Sequence, residues 1–332
     1  PIPAFQNVDD HTDWIFDTRV DEPTIEVDGK TYRREEDTFD TWFSSSQWPF
    51  ITTDYLSRGE LARFYPNAVM ETGGDILFPW VGRMIMMGLY RTKEIPFRHV
   101  YLHGLVLDEK GQKMSKSKGN VLNPMEVISE YGSDALRMGI MASRSADQPQ
   151  AFSTGKVVAA RNFCNKLWNV ARFIMTQVDD VTPDTNFEPT TITDHWIIHR
   201  LNLASKQIAA QLEEYRFAEA SETVYHALWD DIADWYVEAS KIEQHAALSA
   251  YVLDTILKLA HPFAPFVTET IWQALPWHDT LLAGEPWPET REVSDLMSSQ
   301  FGRLKRLVTE VRYVTSELPG NDRYPVLYQD DS

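Results

Sequence analysis

The residues best suited to chemistry lie between Lys110 and Asn120, in the order Lys-Gly-Gln-Lys-Met-Ser-Lys-Ser-Lys-Gly-Asn. Lys110, Lys113, Lys116 and Lys118 place four ammonium groups around the hydroxyls of Ser115 and Ser117, with Gly111 and Gly119 as hinges. Cations on flexible stems, with hydroxyls between them, suit a polyphosphate whose charge shifts during reaction. A solvated basic loop is the plainer alternative. A second concentration of positive charge lies between Gln148 and Val178, where Lys156, Arg161, Lys166 and Arg172 occur without a single acid. On a chain of net charge -18, such a strip favours selective docking of an RNA over loose coating of it.

These residues need elements to hold them. Val100 to Leu107 reads as a buried strand leading into the lysine loop, and Pro124 starts a helix after it as a first-turn proline. Upstream, Thr24 to Tyr32 predicts a hairpin, because Asp28-Gly29 supplies the two positive-φ residues of a type I′ turn. A polar helical stretch is expected near 54–63. Ala68 to Thr72 predicts a short strand that exits at Gly73-Gly74, with Asp75 as N-cap of a helix running through Tyr90 and Pro79 tolerated near its start. Strand, helix, strand, loop and helix in this order are α/β. After about residue 150 the spacing turns helical, with helices expected at 156–177, 194–214, 218–244, 247–261, 264–275 and 301–318. Stripes such as Val224, Leu228, Ile232 and Trp235 make this region a bundle.

At 332 residues, 43% hydrophobic and 24% charged, the chain has the composition of a soluble globular protein with room for about two domains. No stretch approaches the roughly 20 apolar residues of a membrane span, and no signal-peptide pattern opens the chain. Cys164 is the only cysteine, which excludes disulfide frameworks and Cys-rich zinc sites and leads us to expect a reducing cytoplasm. The opening Pro1-Ile2-Pro3-Ala4-Phe5, with no initiator Met, suggests an excised piece of a larger protein.

Lys113 to Ser117 spell KMSKS. Together with His103-Gly104-Leu105-Val106-Leu107-Asp108 before it and Lys118-Gly119-Asn120-Val121, Pro124 and Tyr131 to Arg137 after it, the segment resembles the second nucleotide-binding motif of class I aminoacyl-tRNA synthetases for valine, isoleucine and leucine. Asp40 to Ser45 (DTWFSS) and Gly73 to Trp80 (GGDILFPW) are most similar to the valyl-tRNA synthetases, as are Ala160 to Asn169 and the His261 to Phe266 break in the bundle. The likeness runs from about residue 37 to 310. Gly74 stands where that family has a large residue, and the family's HIGH motif is absent from the sequence.

The resemblance implies α/β followed by all-α: the second half of a Rossmann-like class I nucleotide-binding fold, then a helical anticodon-binding domain. It divides the chain into a β-rich connection (1–38), the KMSKS-bearing half of a catalytic domain (39–150), the anticodon-binding bundle (151–290) and the start of an appendage (291–332). It further implies ATP-dependent activation of valine and transfer to tRNA(Val), with ATP arriving as its Mg2+ complex, no protein-bound metal, and a missing N-terminal catalytic half as partner. Lys116, then Lys113, would stabilise charge on the phosphates. Ser115, Ser117, His103 and Gly104 would help bind ATP, although His103 is also readable as a satisfied core histidine. Trp42, Ile76 and Trp80 would shape a valine pocket and Asp75 would meet the ammonium group, unless it serves only as the helix cap. Arg161, Asn165, Asn169, Arg172 and Phe173 would read the anticodon, against the alternative of a solvated helix face. A fragment that binds tRNA without chemistry, or a piece of an isoleucyl- or leucyl-tRNA synthetase, are the competing readings.

Overall fold

The computed structural model describes residues 2–18, 21–142, 148–178 and 187–316. It divides into two compact units, Pro1–Leu105 and Val106–Ser332.

The first unit opens with a four-stranded antiparallel sheet of order β2-β1-β4-β3, made by β1 (Ala4–Asn7), β2 (Trp14–Phe16), β3 (Thr24–Val27) and β4 (Lys30–Arg34). The predicted hairpin is β3–β4, turned by Asp28 and Gly29 at φ 51° and 73°. Two short helices follow, α1 (Thr41–Ser45) and α2 (Trp48–Ile51). The helix expected near 54–63 does not form as one element. Asp54 and Arg58 take positive φ, which breaks any right-handed helix, and only a 3-10 turn at Glu60–Phe64 remains.

Next comes a parallel pair, β5 (Asn67–Gly73) and β6 (Phe97–His103), in register from Asn67 opposite Phe97 to Gly73 opposite His103. The connection between them begins with a 3-10 turn (Gly74–Ile76), passes through a π-helical segment (Leu77–Gly82) and becomes α3 (Arg83–Thr92). Asp75 therefore does not cap the helix as expected. It lies inside the 3-10 turn, and the cap positions of the three successive segments are Gly73, Ile76 and Gly82, none of which makes a side-chain cap. Met70, Val81, Met84 and Phe97 form the small core beneath this pair.

The expected buried strand from Val100 to Leu107 is two strands in two sheets. Gly104-Leu105 separates β6 from β7 (Val106–Leu107), and Arg98, His99 and Val100 at the centre of β6 are exposed. Among the described residues β6 has one neighbour only, so its polar positions meet solvent.

In the second unit β7 pairs in parallel with β8 (Gln150–Ala151). Between them lie the lysine loop, α4 (Pro124–Tyr131), capped by the Asn123 side-chain oxygen, which accepts from Met125 N, and α5 (Ser133–Met141). The bundle follows as α6 (Thr154–Met175), α7 (Ile192–Glu213), α8 (Phe217–His226), a π-helical continuation (Ala227–Tyr236) into α9 (Val237–Ser240), α10 (Ala246–Ala260), α11 (Pro265–Ala274) and α12 (Asp295–Ser316). The helical spacing read from the sequence matches these bounds to within a few residues, except that α12 begins six residues earlier than the predicted 301; positions 317 and 318 lie outside the described residues. Phe163, Leu167 and Ile174 of α6 meet Ile197, Leu201, Val224, Leu228, Leu253 and Trp272 in one continuous core. Mixed α/β followed by a helical bundle is the architecture expected from the sequence.

Candidate functional site

In the first unit two of the expected ligand-contacting residues, His103 and Asp75, lie at the carboxyl ends of the parallel strands, where open α/β sheets bind ligands. His103 ends β6, opposite Gly73 at the end of β5. A Cβ at Gly73 would lie 2.8 Å from Asp75 Oδ1 and 3.7 Å from His103 Cε1. The missing side chain of Gly73 is thus what lets the Asp75 carboxylate and the His103 imidazole approach the same point. His103 Nε2 lies 3.3 Å from Glu71 Oε1, and its Nδ1 is 3.1 Å from the Gly104 carbonyl. With 44% of its side chain exposed, His103 is not a core histidine. Asp75 is exposed and Ile76 half-buried in the same turn.

Trp42 and Trp80 are linked through Ser45. The Trp80 indole N–H donates to the Ser45 carbonyl at 3.4 Å, and the Ser45 hydroxyl donates to the Trp42 carbonyl at 3.3 Å. Asp40 fixes the start of this short helix by accepting from Trp42 N at 2.7 Å. A cleft of about 940 Å³ opens beside it, lined by Trp42, Phe43, Phe78, Arg83 and Met86 among others. Of the four residues expected around valine it takes in Trp42 alone, with the Arg83 guanidinium 5.7 Å from the indole centre.

The lysine loop in the second unit is tightly tied at its base. Asp108 Oδ1 accepts from Lys110 N at 3.0 Å and Gln112 N at 2.7 Å, while Oδ2 accepts from the Asn120 amide at 2.8 Å. These bonds, the Asn120 amide first and then the Gln112 N–H, hold the Asp108 carboxyl below the usual carboxylate range. Asn120 Oδ1 in turn accepts from Ser115 N at 3.0 Å. Lys113 bridges back to Leu107, and Gly111 and Gly119 take φ of 74° and 65°. The Ser115 and Ser117 hydroxyls are 3.2 Å apart, one donating to the other. Lys113, Ser117 and Lys118 are exposed. Lys116 falls on the 3-10 turn Lys116–Lys118, and its side chain lies outside the described residues.

The loop also shares a joint with the long helix of the bundle. Phe152 N donates to Leu107 O at 2.8 Å, Thr154 Oγ1 donates to Glu109 at 3.2 Å, and Ser153 caps α6. Along α6, Phe163, Leu167, Val170 and Ile174 are buried as their spacing requires. Asn165, Asn169 and Arg172 are exposed on the other side. Arg161 is half-buried, its guanidinium 5.7 Å from the Tyr131 ring centre. Phe173 is only partly available, because it packs against the bundle core under the Lys241 ammonium. Trp168 is the more exposed ring on this helix, at 42%. Cys164 is held inert by burial, which pushes its thiol up to about 12.

Sequence reasoning missed Asp108 and Asn120 as structural partners, since a bond between residues twelve apart leaves no periodic signal. It also missed Glu109 and Thr154, which meet only after α4 and α5 intervene. Among the described residues no group of three or more His, Cys, Asp or Glu is arranged to hold a metal ion, and no helix is long and apolar enough to cross a membrane.

Comparison with known proteins agrees with this geometry. Residues 5–151 match the family described as tRNA synthetases class I (I, L, M and V), and residues 194–319 match the anticodon-binding domain of tRNA ligase. Valine–tRNA ligase of Geobacillus kaustophilus is 42% identical over 305 residues, covering 87% of this chain and 34% of that protein. That of Geobacter sulfurreducens is 45% identical over 259 residues, covering 74% and 29%. The chain thus spans about a third of the length of the relatives it matches. In fold it is similar to the LeuRS of Agrobacterium radiobacter K84 in its ternary complex with tRNA and LeuAMS, with TM-score 0.70 and 21% identity over 90% of this chain and 41% of that one. The lysine loop, the parallel strands that precede it in the sequence, the bundle after it and the two successive family matches have one reading: the chain belongs to the valine–tRNA ligase family of class I tRNA synthetases.

Proposed function

We propose that this chain serves ATP-dependent ligation of valine to tRNA(Val), supplying the phosphate-contacting loop and the RNA-reading bundle of that enzyme. The observation that carries this reading is the loop from Asp108 to Asn120. Exposed cations and hydroxyls project from a backbone pinned by side-chain bonds, which is the preorganisation that charge development on phosphates needs. Valine attacks the α-phosphate of ATP to give valyl-adenylate and pyrophosphate, and the acyl group then passes to the terminal adenosine of the tRNA. Lys116 and Lys113 would stabilise the charge building on the phosphates, while Ser115 and Ser117 bond phosphate oxygens. Magnesium enters with ATP as part of the substrate. His103 and Gly104 are proposed to meet ATP as well, and Asp75 the valine ammonium, with Trp42, Ile76 and Trp80 bounding the side chain. Such an apolar pocket excludes isoleucine by size but discriminates against threonine by only about 10².

Arg161, Asn165, Asn169, Arg172 and Phe173 are proposed to hold the anticodon, with the bundle at 151–290 as the RNA-binding domain and 39–150 as the catalytic portion. We place the protein in the cytoplasm. The test is valine-dependent ATP–pyrophosphate exchange by this chain with the unmatched part of a relative supplied in trans. Valine-selective exchange that falls about 10²–10³-fold in Lys116→Ala supports the reading. Exchange driven by isoleucine or leucine would overturn the substrate. Absence of exchange with retained tRNA(Val) binding would leave RNA binding as the function of the chain.

A further inference from the structure

We propose that Asp108 and Asn120 are positioning residues for the lysine loop, acting as a two-point clasp that fixes where the Lys113 and Lys116 stems begin. The inference rests on the catalytic reading of that loop. A carboxylate that accepts from Lys110 N, Gln112 N and the Asn120 amide determines the path of the chain as it enters the loop. The same Asn120 amide group reaches forward with its oxygen to Ser115 N, in the middle of the KMSKS segment, and its nitrogen also lies 3.4 Å from Lys113 O. Entry, centre and exit are thus tied through two side chains.

The orientation of the Asn120 amide is fixed by its partners. Reversed, it would turn its NH2 toward the Ser115 N–H and its oxygen toward the Asp108 carboxylate. Gly111 and Gly119 lie within or beside the clasp at positive φ, and a Cβ at either would meet nothing within 4 Å. They are required by the turn they make and not by crowding. Main-chain pairing across the loop is sparse: Leu107 bridges Lys113, Asp108 N donates to Gln112 O and Gly111 N to Asp108 O. At Ser115 the carbonyl accepts from Lys118 N at 3.1 Å, while the N–H donates to the Asn120 side chain. A loop whose lysines must meet phosphates repeatedly at the same place gains from such a fixed centre, because misplacement of cations by an ångström costs rate without costing substrate affinity.

The clasp can be tested by reciprocal exchange. Asp108→Asn sets two amide NH2 groups against each other, and Asn120→Asp sets two carboxylates 2.8 Å apart; either breaks the bond. The double variant Asp108→Asn/Asn120→Asp restores it in reverse. The introduced amide at 108 accepts from both backbone N–H groups through its oxygen and donates to the carboxylate at 120, whose other oxygen accepts from Ser115. Amide hydrogen exchange at Gln112 and Ser115 is measured on the chain itself, and valine-dependent ATP–pyrophosphate exchange on the chain complemented in trans. We expect each single variant to speed amide exchange and to lower the maximal rate by about 10–100-fold, with the KM for valine unchanged and most of both effects recovered in the double variant. Unaltered amide exchange in the single variants overturns the clasp. A double variant no better than either single one overturns the reciprocal bond, and a loosened loop with undiminished turnover overturns the positioning role. Inactivity of the unsubstituted chain would count against the proposed function, while the amide measurements would still decide whether the clasp holds the loop.

Discussion

Phe173→Ala tests the proposed RNA contact against packing, because the ring packs on the bundle core and yet is not fully buried. Phe173 packs against the bundle core on one side and lies 5.9 Å from the Lys241 ammonium on the other. A fully buried Phe loses about 3–5 kcal/mol on truncation to Ala. A half-buried one should lose roughly half, about 1.5–2.5 kcal/mol, which urea unfolding followed by tryptophan fluorescence will read as a lower midpoint at constant slope. If the exposed part of the ring stacks on an anticodon base, truncation also removes about 1–3 kcal/mol of binding, a rise of about 5–150-fold in the Kd for tRNA(Val) measured by fluorescence anisotropy. Phe173→Leu resolves the two effects. It keeps most of the apolar volume, so stability should fall by less than about 1.5 kcal/mol, while the aromatic face is lost and Kd should rise nearly as far as in the Ala variant.

An unchanged Kd in both variants, alongside the loss of stability in Phe173→Ala, would refute the stacking role and make Phe173 a packing residue. The comparator is Trp168, 42% exposed on the same helix beside Asn165, Asn169 and Arg172. If Trp168→Ala raises Kd where Phe173→Leu does not, the stacking surface lies one to two turns earlier on α6.

Two further outcomes concern the bundle. Asp134, 7% exposed on the first turn of α5, accepts from Phe266 N at 3.3 Å and Val267 N at 2.7 Å at the start of α11, where Ala264 has no capping side chain. Asp134→Ala should cost about 1.5–3 kcal/mol, and a urea midpoint equivalent to less than about 0.5 kcal/mol would show that water replaces the carboxylate. Asp194 is buried, which raises its carboxyl, but bonds from Thr190 N, Thr191 Oγ1 and His245 Nδ1 outweigh burial and hold it below the ordinary value. A depressed folded value means its stabilisation is complete above the unfolded value near 3.9 and is lost as pH falls through the folded one. The stability gap between wild type and Asp194→Asn should therefore be constant from pH 7 to about 5 and shrink on further acidification. A gap that stays constant down to pH 2.5 would refute the assignment.

Asp108, Asp134 and Asp194 show why some of this protein could be read from its sequence and some could not. The lysine loop was legible because its chemistry resides in side-chain identity over eleven consecutive residues, and the bundle because burial of Leu, Ile and Val at helical spacing is a local pattern. The hairpin at Asp28-Gly29 was legible for an equally local reason. By contrast, the break at Gly104-Leu105, the turns at Asp54 and Arg58 and the seat of Asp75 inside a 3-10 turn depend on which strand or turn each segment meets in space. Asp108, Asp134 and Asp194 all act by accepting backbone N–H groups; Asp194 alone carries a local mark, as the fourth residue of the Thr191–Asp194 capping box, while among 49 acids in the chain nothing in the sequence singles out Asp108 or Asp134. A backbone N–H is carried by every residue except proline, so its acceptor cannot be inferred from the identity of its partner. What an extended basic stretch can touch is written in its own residues. Where it is held depends on carboxylates and amides whose partners appear only when the chain has folded around them.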